Sequence, residues 1–192
     1  MSKELTHVMV DIETVGRPPD GGIIAVGAVA FNPALDPANQ KWDRTFEVIF
    51  DLNDVDRRGG KFEASTIKWW MNQDATVRTK MFNGTVGVVR GFRDFLQWYR
   101  YLGPTAVWAN GTTFDIVMLE HSMKRAGVAT PWHFRDVRDM RMLRDLETPA
   151  YALAVNTLYQ LCQDTQHDAL QDAVVQAKSV CVANTFLKVY RP

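Results

Sequence analysis

The chain has 192 residues, of which 46% are hydrophobic and 23% are charged, a balance typical of a globular protein that buries a sizeable core. Its 22 lysines and arginines balance its 22 aspartates and glutamates, and the resulting net charge of zero argues against nonspecific binding of long duplexes, which needs many phosphate contacts. A polar N-terminus and the lack of an apolar run of about 20 residues predict neither a signal peptide nor a membrane helix, so we expect a cytoplasmic protein with no membrane partner.

The first fifty residues are predicted to form strands. Apolar residues fill the ranges 7–13, 21–31 and 44–52, and segments with Gly and Pro separate them. These linkers have the composition of turns. The N-terminal part of the chain therefore predicts three consecutive strands.

The first of these strands carries acidic residues in an unusual setting. Side chains alternate along a strand, so the apolar Val8, Val10 and Ile12 share one face. Asp11 and Glu13 lie side by side on the opposite face. Burying a charge is costly unless an opposite charge meets it. The sequence therefore predicts a positively charged partner for these two residues.

After residue 52 the apolar residues recur at three- and four-residue steps, which predicts helices. The predicted helices cover 63–73, 85–103, 112–127, 152–162 and 168–189, with short strands at 105–111 and in "WHFRDV" (132–137). Three strands followed by alternating strands and helices predict one α/β domain over 1–192, with a mixed sheet flanked by helices. Cys162 and Cys181 lie in apolar helical patterns, which favours buried thiols over a disulfide.

Two more acidic residues occupy positions where an apolar residue would be the default. Asp115 stands in the first turn of a predicted helix, directly after a short strand, and Asp172 lies inside the last predicted helix. Each alone could be a helix cap or a partner of the helix dipole. Together with Asp11 and Glu13 they favour hard divalent cations such as Mg²⁺ or Mn²⁺. A pair of such ions is a known device of phosphoryl chemistry.

His167 stands five residues before Asp172, in the segment "QHDALQDA". Asp168 and Gln171 have the spacing of a capping box, which predicts that the helix begins at Asp168 and leaves His167 on the preceding loop. A histidine with a pKa of about 6.5 is suited to accept a proton from water at a metal site. The alternative is a surface histidine at a helix entry.

Three motifs resemble those of the DEDDh 3′-5′ exonucleases: "DIET" (11–14), "NGTTFD" (110–115) and "HDALQDA" (167–173). This family has a ribonuclease H-like fold, so the resemblance implies a mixed sheet of five to six strands flanked by helices. The segment "STIKWWMNQ" (65–73) is also similar to a stretch in the subgroup that contains phage exonuclease A and a bacterial 3′-5′ exoribonuclease.

The resemblance assigns a role to each residue of the motifs. It implies that two Mg²⁺ or Mn²⁺ ions are held by Asp11, Glu13, Asp115 and Asp172 and that His167 is the general base. It further implies hydrolysis of the 3′-terminal phosphodiester of a single strand, with release of a nucleoside 5′-monophosphate. The subgroup allows a homodimer and indicates the cytoplasm of a bacterial or phage-infected host cell.

The nature of the strand stays open at this point. We place single-stranded DNA ahead of RNA, with RNA 3′ overhangs or short oligoribonucleotides as the alternative, because no motif reports on the 2′-hydroxyl group. A silent nucleic-acid-binding module on the same fold is a further alternative. The intact set of five motif residues argues against it, because buried acids have no physical role there without metal.

Candidate substrate-binding residues lie close to the motifs. They are Thr14, Val15, Gly16, Trp69, Trp70, Asn110 and Phe114. Trp69 and Trp70 lie about 100° apart on a helix, so we expect one to pack in the core and the other to be partly free for stacking on a base. For Phe114, stacking on a base and packing in the core are equally favoured. In the family, the backbone at 14–16 touches the terminal nucleotide.

Four arginines, Arg135, Arg138, Arg141 and Arg144, stand three residues apart. On a helix this spacing would form a basic stripe. Aspartates between them favour a solvated, ion-paired surface. Guidance of substrate phosphates is the alternative.

Overall fold

The computed structural model describes residues 6–144, 149–161 and 166–191. Within these residues, five strands form one mixed sheet in the order β3-β2-β1-β4-β5. Their bounds are His7–Thr14 (β1), Ile23–Phe31 (β2), Thr45–Ile49 (β3), Ala106–Ala109 (β4) and Val137–Asp139 (β5). β2 pairs antiparallel with β1 and β3, whereas β4 pairs parallel with β1 and β5. The predicted α/β class and mixed sheet are confirmed.

Helices flank this sheet. Their bounds are Leu52–Arg57 (α1), Ala64–Met71 (α2), Ala75–Phe82 (α3), Val88–Leu102 (α4), Asp115–Arg125 (α5), Arg141–Arg144 (α6), Pro149–Leu161 (α7) and Ala169–Leu187 (α8). The five helices expected from the sequence correspond to α2, α4, α5, α7 and α8. Their apolar periodicity was therefore a reliable signal.

The central strand β1 has the two faces that alternation predicts. Val8, Val10 and Ile12 belong to one buried cluster, which also contains Phe92 of α4 and side chains of α5. Met9, on the opposite face, belongs to a second buried cluster with residues of α8. Helices α4 and α5 therefore cover one side of the sheet, and α8 covers the other.

Gly27 of β2 allows the start of α8 to approach the sheet closely. It is the register partner of Asp11 in β1. A side chain at Gly27 would collide with the backbone of Ala169 and Leu170, the first residues of α8. The first turn of α8 therefore lies against the pair of strands that carries Asp11.

Three helices, α1, α3 and α6, were not predicted, and the first two begin at a capping aspartate. The third strand ends at Ile49 rather than at 52, because Asp51 caps α1: its Oδ1 accepts a 2.8 Å hydrogen bond from the Asp54 N–H. In the same way, Asp74 caps α3. Both helices are short, and the sequence signal of a single capping aspartate was overlooked.

The strand expected at 132–137 was placed too early. Phe134–Asp136 form a 3₁₀ turn, and the strand itself, β5, begins at Val137. Because β5 separates Arg135 from Arg141, the arginine-rich segment is not one helix. The basic stripe that a single helix would have formed is therefore absent from the described residues.

Cys181 is buried and carries a free thiol, as expected, whereas Cys162 lies outside the described residues. None of the helices in the described part of the chain is long and apolar enough to cross a membrane. That 1–192 form a single domain stays a prediction.

His7, the first residue of β1, is buried among aromatic side chains. It is 3% exposed, and its Nδ1 accepts a 2.9 Å hydrogen bond from Trp108 Nε1. The rings of Phe31 and Tyr190 meet it edge-on, with centroids 6.0 and 5.0 Å away. Burial, reinforced by the charge of Arg138, lowers the pKa of His7 to about 4.

This histidine predicts a pH dependence of stability. In the unfolded chain His7 has a pKa of about 6.5. Between this value and the lower pKa of the folded state, the unfolded state binds more protons, so the stability of the fold decreases as the pH falls. His7→Gln keeps an acceptor but does not titrate. The free energy of unfolding of both proteins would be measured in urea at a series of pH values. The amount by which the parent exceeds His7→Gln should decrease on acidification by at most about 3 kcal/mol. An advantage that is constant with pH would contradict a neutral, buried His7.

Candidate active site

Four acidic side chains converge at one end of the sheet. Asp11 and Glu13 project from β1, Asp115 is the first residue of α5, and Asp172 lies in the first turn of α8. Because β4 runs parallel to β1, the helix that follows β4 begins at the end of the sheet where the β1 acids stand. Glu13 and Asp115 are 7% and 6% exposed, and the other two are half-buried.

These four carboxyl groups resist ionisation together. Burial, and then the charges of Asp115 and Asp172, hold the pKa of Asp11 well above its usual range. Burial and the neighbouring Asp11 do the same to the pKa of Glu13. Burial raises the pKa of Asp115 to about 7 and that of Asp172 to about 6. Positive charge brought to the cluster would therefore favour the carboxylate form of each group.

Among the described residues, no lysine, arginine or histidine forms an ion pair with any of the four acids. Glu13, His167 and Asp172 each offer a ligand atom, and these atoms lie within 4.8 Å of one another. Several carboxylate oxygens without a cationic side chain fit a divalent metal ion.

His167 adjoins the cluster in a constrained conformation. Its φ of 67° is left-handed, which is uncommon for a residue other than glycine. Its backbone N–H donates a 2.9 Å hydrogen bond to Asp172 Oδ2, which fixes the loop to the acid that follows it. The Trp69 ring packs edge-on against the imidazole at 4.7 Å between centroids. Burial lowers the pKa of His167, so the ring is neutral and able to accept a proton at neutral pH.

The start of α8 is held by an ion-paired cap. Asp168 is the N-cap, as predicted, and its Oδ1 accepts 3.2 Å hydrogen bonds from the N–H groups of Leu170 and Gln171. Its other oxygen lies 2.6 Å from Lys80 Nζ of α3, which also lies 2.5 Å from Glu47 Oε1. Helix α3, which was not predicted, therefore fixes the helix start that follows the His167 loop.

Gln176 is a site residue that the sequence analysis missed. It lies one turn after Asp172, is 4% exposed, and donates from Nε2 a 2.7 Å hydrogen bond to Asp11 Oδ1. Its Oε1 is buried without a hydrogen-bond partner among the described residues. The available signal was a polar residue four positions after an acid in an apolar helix, where the two share a face.

The second motif forms a tight turn before α5. Gly111 has a φ of 118°, and its carbonyl accepts hydrogen bonds from the N–H groups of Phe114 and Asp115 at 2.8 and 3.1 Å. Asp139, at the end of β5, accepts from both the N–H and the hydroxyl of Thr112. Helix α5 therefore begins at Asp115, three residues later than predicted.

An open groove runs beside the cluster. It is lined by Ile12, Glu13, Thr14, Gly16, Arg17, Ser65, Thr66, Trp69 and Phe114. Trp69 is 41% exposed, whereas Trp70 is 1% exposed, so one indole packs in the core and the other is partly free, as expected. Phe114 is half-buried and joins both the groove and the edge of the core.

Three residues expected to touch substrate, Val15, Gly16 and Trp70, have structural contacts, and their contact with substrate stays a prediction. The buried Trp70 donates from Nε1 a 2.8 Å hydrogen bond to the Thr14 carbonyl, so it holds the strand end rather than lining the groove. Val15 is buried, and both its N–H and its carbonyl are hydrogen-bonded within the protein. A side chain at Gly16 would collide with the Lys61 carbonyl.

Asn110 is also one of the predicted substrate-binding residues. It is half-buried, and its Oδ1 is buried without a hydrogen-bond partner in the part of the chain that the structure describes. It stands next to Gly111, at the C-terminal end of β4. A direct contact between Asn110 and substrate stays a prediction.

Comparisons with known proteins match this arrangement. The family model described as the 3′-5′ exoribonuclease Rv2179c-like domain matches residues 6–183, a range that contains all three motifs. The chain is 25% identical over 199 residues to a protein of Enterobacteria phage T4 named exodeoxyribonuclease, with 87% of this chain and 86% of that protein covered. Among solved structures, the RNase domain of the yeast Pop2 protein is similar at a TM-score of 0.58 and 11% identity, covering 97% of this chain and 79% of that one. At this identity, the structural likeness concerns the fold alone.

The hydrogen bond from Gln176 to Asp11 predicts a change in metal affinity. Gln176→Leu keeps the approximate volume but removes the donor that supports Asp11 as a carboxylate, and loss of such a partner lowers metal affinity by about 10- to 100-fold. Titration with Mn²⁺ should show this loss. Gln171→Leu, the same change at an exposed position of α8, is the control and should bind as the parent does. Equal Mn²⁺ affinity of folded Gln176→Leu and the parent would contradict the supporting role.

Proposed function

The chain belongs to the family of 3′-5′ exoribonuclease Rv2179c-like domains, and on this premise we propose how its acidic cluster hydrolyses the 3′ ends of nucleic acids. The protein is a DEDDh-type 3′-5′ exonuclease with a ribonuclease H-like fold, as the three motifs predicted. The range that matches the family model, 6–183, extends from the start of β1 into α8 and therefore includes the whole sheet.

The convergence of four carboxyl groups that form no ion pair with a cationic side chain of the described residues carries the proposal. In this proposal Asp11, Glu13, Asp115 and Asp172 hold two divalent cations, for which Mg²⁺ and Mn²⁺ are suited by their preference for oxygen ligands. Such ions, when bound, lower the pKa of water and stabilise charge on the leaving oxygen. The raised pKa values of the four acids are the observation in support, since cations would restore the carboxylates.

His167 is the proposed general base. Its neutral ring accepts a proton from the attacking water, whose oxygen forms a bond to phosphorus. The bond between phosphorus and the 3′ oxygen of the preceding nucleotide breaks, and a nucleoside 5′-monophosphate is released. The hydrogen bond from the His167 N–H to Asp172 supports this role, because it keeps the imidazole beside the cluster.

The groove beside Glu13 is the proposed seat of the terminal nucleotide. Single strands bind by stacking of bases on aromatic side chains, and Trp69 and Phe114 both line the groove. The partly free indole of Trp69 also contacts His167, so a nucleobase stacked on this indole would lie close to the proposed general base. Thr14 and Gly16 also line the groove, and the Thr14 carbonyl accepts a hydrogen bond from Trp70.

We propose single-stranded RNA as the first substrate and single-stranded DNA as the second. The family model, described as an exoribonuclease domain, supports RNA. The phage relative, named exodeoxyribonuclease, supports DNA and agrees with the order expected from the sequence. The two sugars differ in the 2′-hydroxyl group, which no described residue is shown to contact.

Digestion of labelled strands tests these roles. With Mg²⁺, the parent should convert a 5′-labelled single strand into a ladder that shortens from the 3′ end, and RNA should be degraded faster than DNA of the same sequence. Asp172→Asn should abolish the activity, because it removes one charge from the cluster. Asp94→Asn, the same change at an exposed position on α4, is the control.

The variant His167→Asn distinguishes two roles of His167, that of a general base and that of a metal ligand. It should lower the rate by about 10²- to 10⁴-fold, the usual contribution of a general base, while Mn²⁺ binding persists. Degradation by Asp172→Asn at the rate of the parent would refute the proposed cluster. Loss of Mn²⁺ binding in His167→Asn would contradict the proposal that His167 acts as a base and does not bind the metal.

A further inference from the structure

Arg141 stands at the same end of the sheet as the acidic cluster. It is the first residue of α6, directly after β5, whose Asp139 is the register partner of Ala109 in β4. The Met140 N–H donates a 3.0 Å hydrogen bond to the Ala109 carbonyl. Because β4 and β5 run parallel, the start of α6 and the turn at Gly111 lie side by side.

The guanidinium group of Arg141 rests on Gly111. A Cβ atom built at Gly111 would lie 2.6 Å from Arg141 Cζ and 2.8 and 2.9 Å from its two Nη atoms. Any larger residue would therefore displace the guanidinium. The same glycine accepts the hydrogen bond from the Asp115 N–H, so the positive group lies beside the turn that starts the cluster's helix.

The guanidinium group retains hydrogen-bonding capacity. Arg141 is exposed, and its side chain forms no hydrogen bond or ion pair with any residue in 6–144, 149–161 or 166–191. Its field reaches Asp115 and Asp139, whose pKa values it lowers. A planar group whose N–H donors are not used by the described residues suits two oxygens of one phosphate.

The neighbouring arginines are placed differently. Arg138 donates from Nη1 to the carbonyl groups of Arg135 and Val137 at 2.6 and 3.0 Å. The guanidinium carbon of Arg135 lies 5.5 Å from the centre of the Phe134 ring. Of the three arginines whose side chains the structure describes in this segment, Arg141 alone approaches the cluster.

We propose that Arg141 binds a phosphate of the nucleic-acid strand beside the acidic cluster, an inference that rests on the proposed function. A strand that approaches four carboxyl groups meets negative charge, and a chain with zero net charge offers little overall attraction. A guanidinium fixed on Gly111 gives local attraction where it is needed. It positions the strand, while the hydrolysis itself is left to the cluster and His167.

Binding of a labelled single strand at a series of salt concentrations tests the contact, with Ca²⁺ in place of Mg²⁺ to slow hydrolysis. Each phosphate contact to a single strand contributes about 0.7 to the slope of log affinity against log salt. Arg141→Met should lower the affinity by about 10-fold at low salt and reduce the slope by about 0.7. Arg141→Lys should restore the slope, because it restores the charge. Arg138→Met, which removes a guanidinium bonded to carbonyl groups, should leave both quantities unchanged.

The outcomes separate this inference from the proposed function. A parent chain that fails to shorten strands from the 3′ end would overturn the proposed function. A parent that degrades strands while Arg141→Met keeps its affinity and salt slope would overturn the phosphate contact alone. A lower rate of hydrolysis in Arg141→Met with an unchanged slope would also overturn it, since a residue that only supports the Gly111 turn gives that result.

Discussion

Burial at one end of the sheet makes the carboxyl groups of Asp11, Glu13, Asp115 and Asp172 resist ionisation. Burial raises the pKa of all four, and mutual repulsion adds to this effect for Asp11 and Glu13. Among the described residues, no cationic side chain forms an ion pair with any of them, so direct ion pairs in this part of the chain do not balance their charge. Such an arrangement lowers the stability of the fold unless a cation is bound. The proposed pair of divalent ions accounts for a destabilisation that a purely structural role would leave unexplained.

Much of the surrounding structure serves to bring these acids together. Gly27 lets α8 approach β1, and Gly111 gives the turn that starts α5 at Asp115. The Lys80–Asp168 ion pair fixes the start of α8 after the His167 loop. These contacts link β2, α3 and the second motif to the same end of the sheet. A small shift in any of them would move a carboxylate by a distance that matters for ion binding.

Sequence reasoning identified what depends on local pattern. Alternation along β1 gave the separate faces of Val8 and Asp11, and the capping signal gave the start of α8 at Asp168. It missed what depends on contacts between distant segments. The hydrogen bond from Gln176 to Asp11 joins residues 165 positions apart, and the buried position of Trp70 follows from packing that periodicity alone could not assign to one of two adjacent indoles. The arginines three residues apart do not lie on one helix, because part of their segment pairs with β4 as the strand β5.

The central claim is that two divalent ions balance the four acids, and counting bound ions tests it most directly. Metal-free protein would be titrated with Mn²⁺ in the presence of a nucleoside 5′-monophosphate, and bound ions would be counted by electron paramagnetic resonance. The account predicts two ions per chain for the parent and fewer for Asp11→Asn. A parent chain that binds no Mn²⁺, or an Asp11→Asn variant that binds as many ions as tightly as the parent, would contradict it.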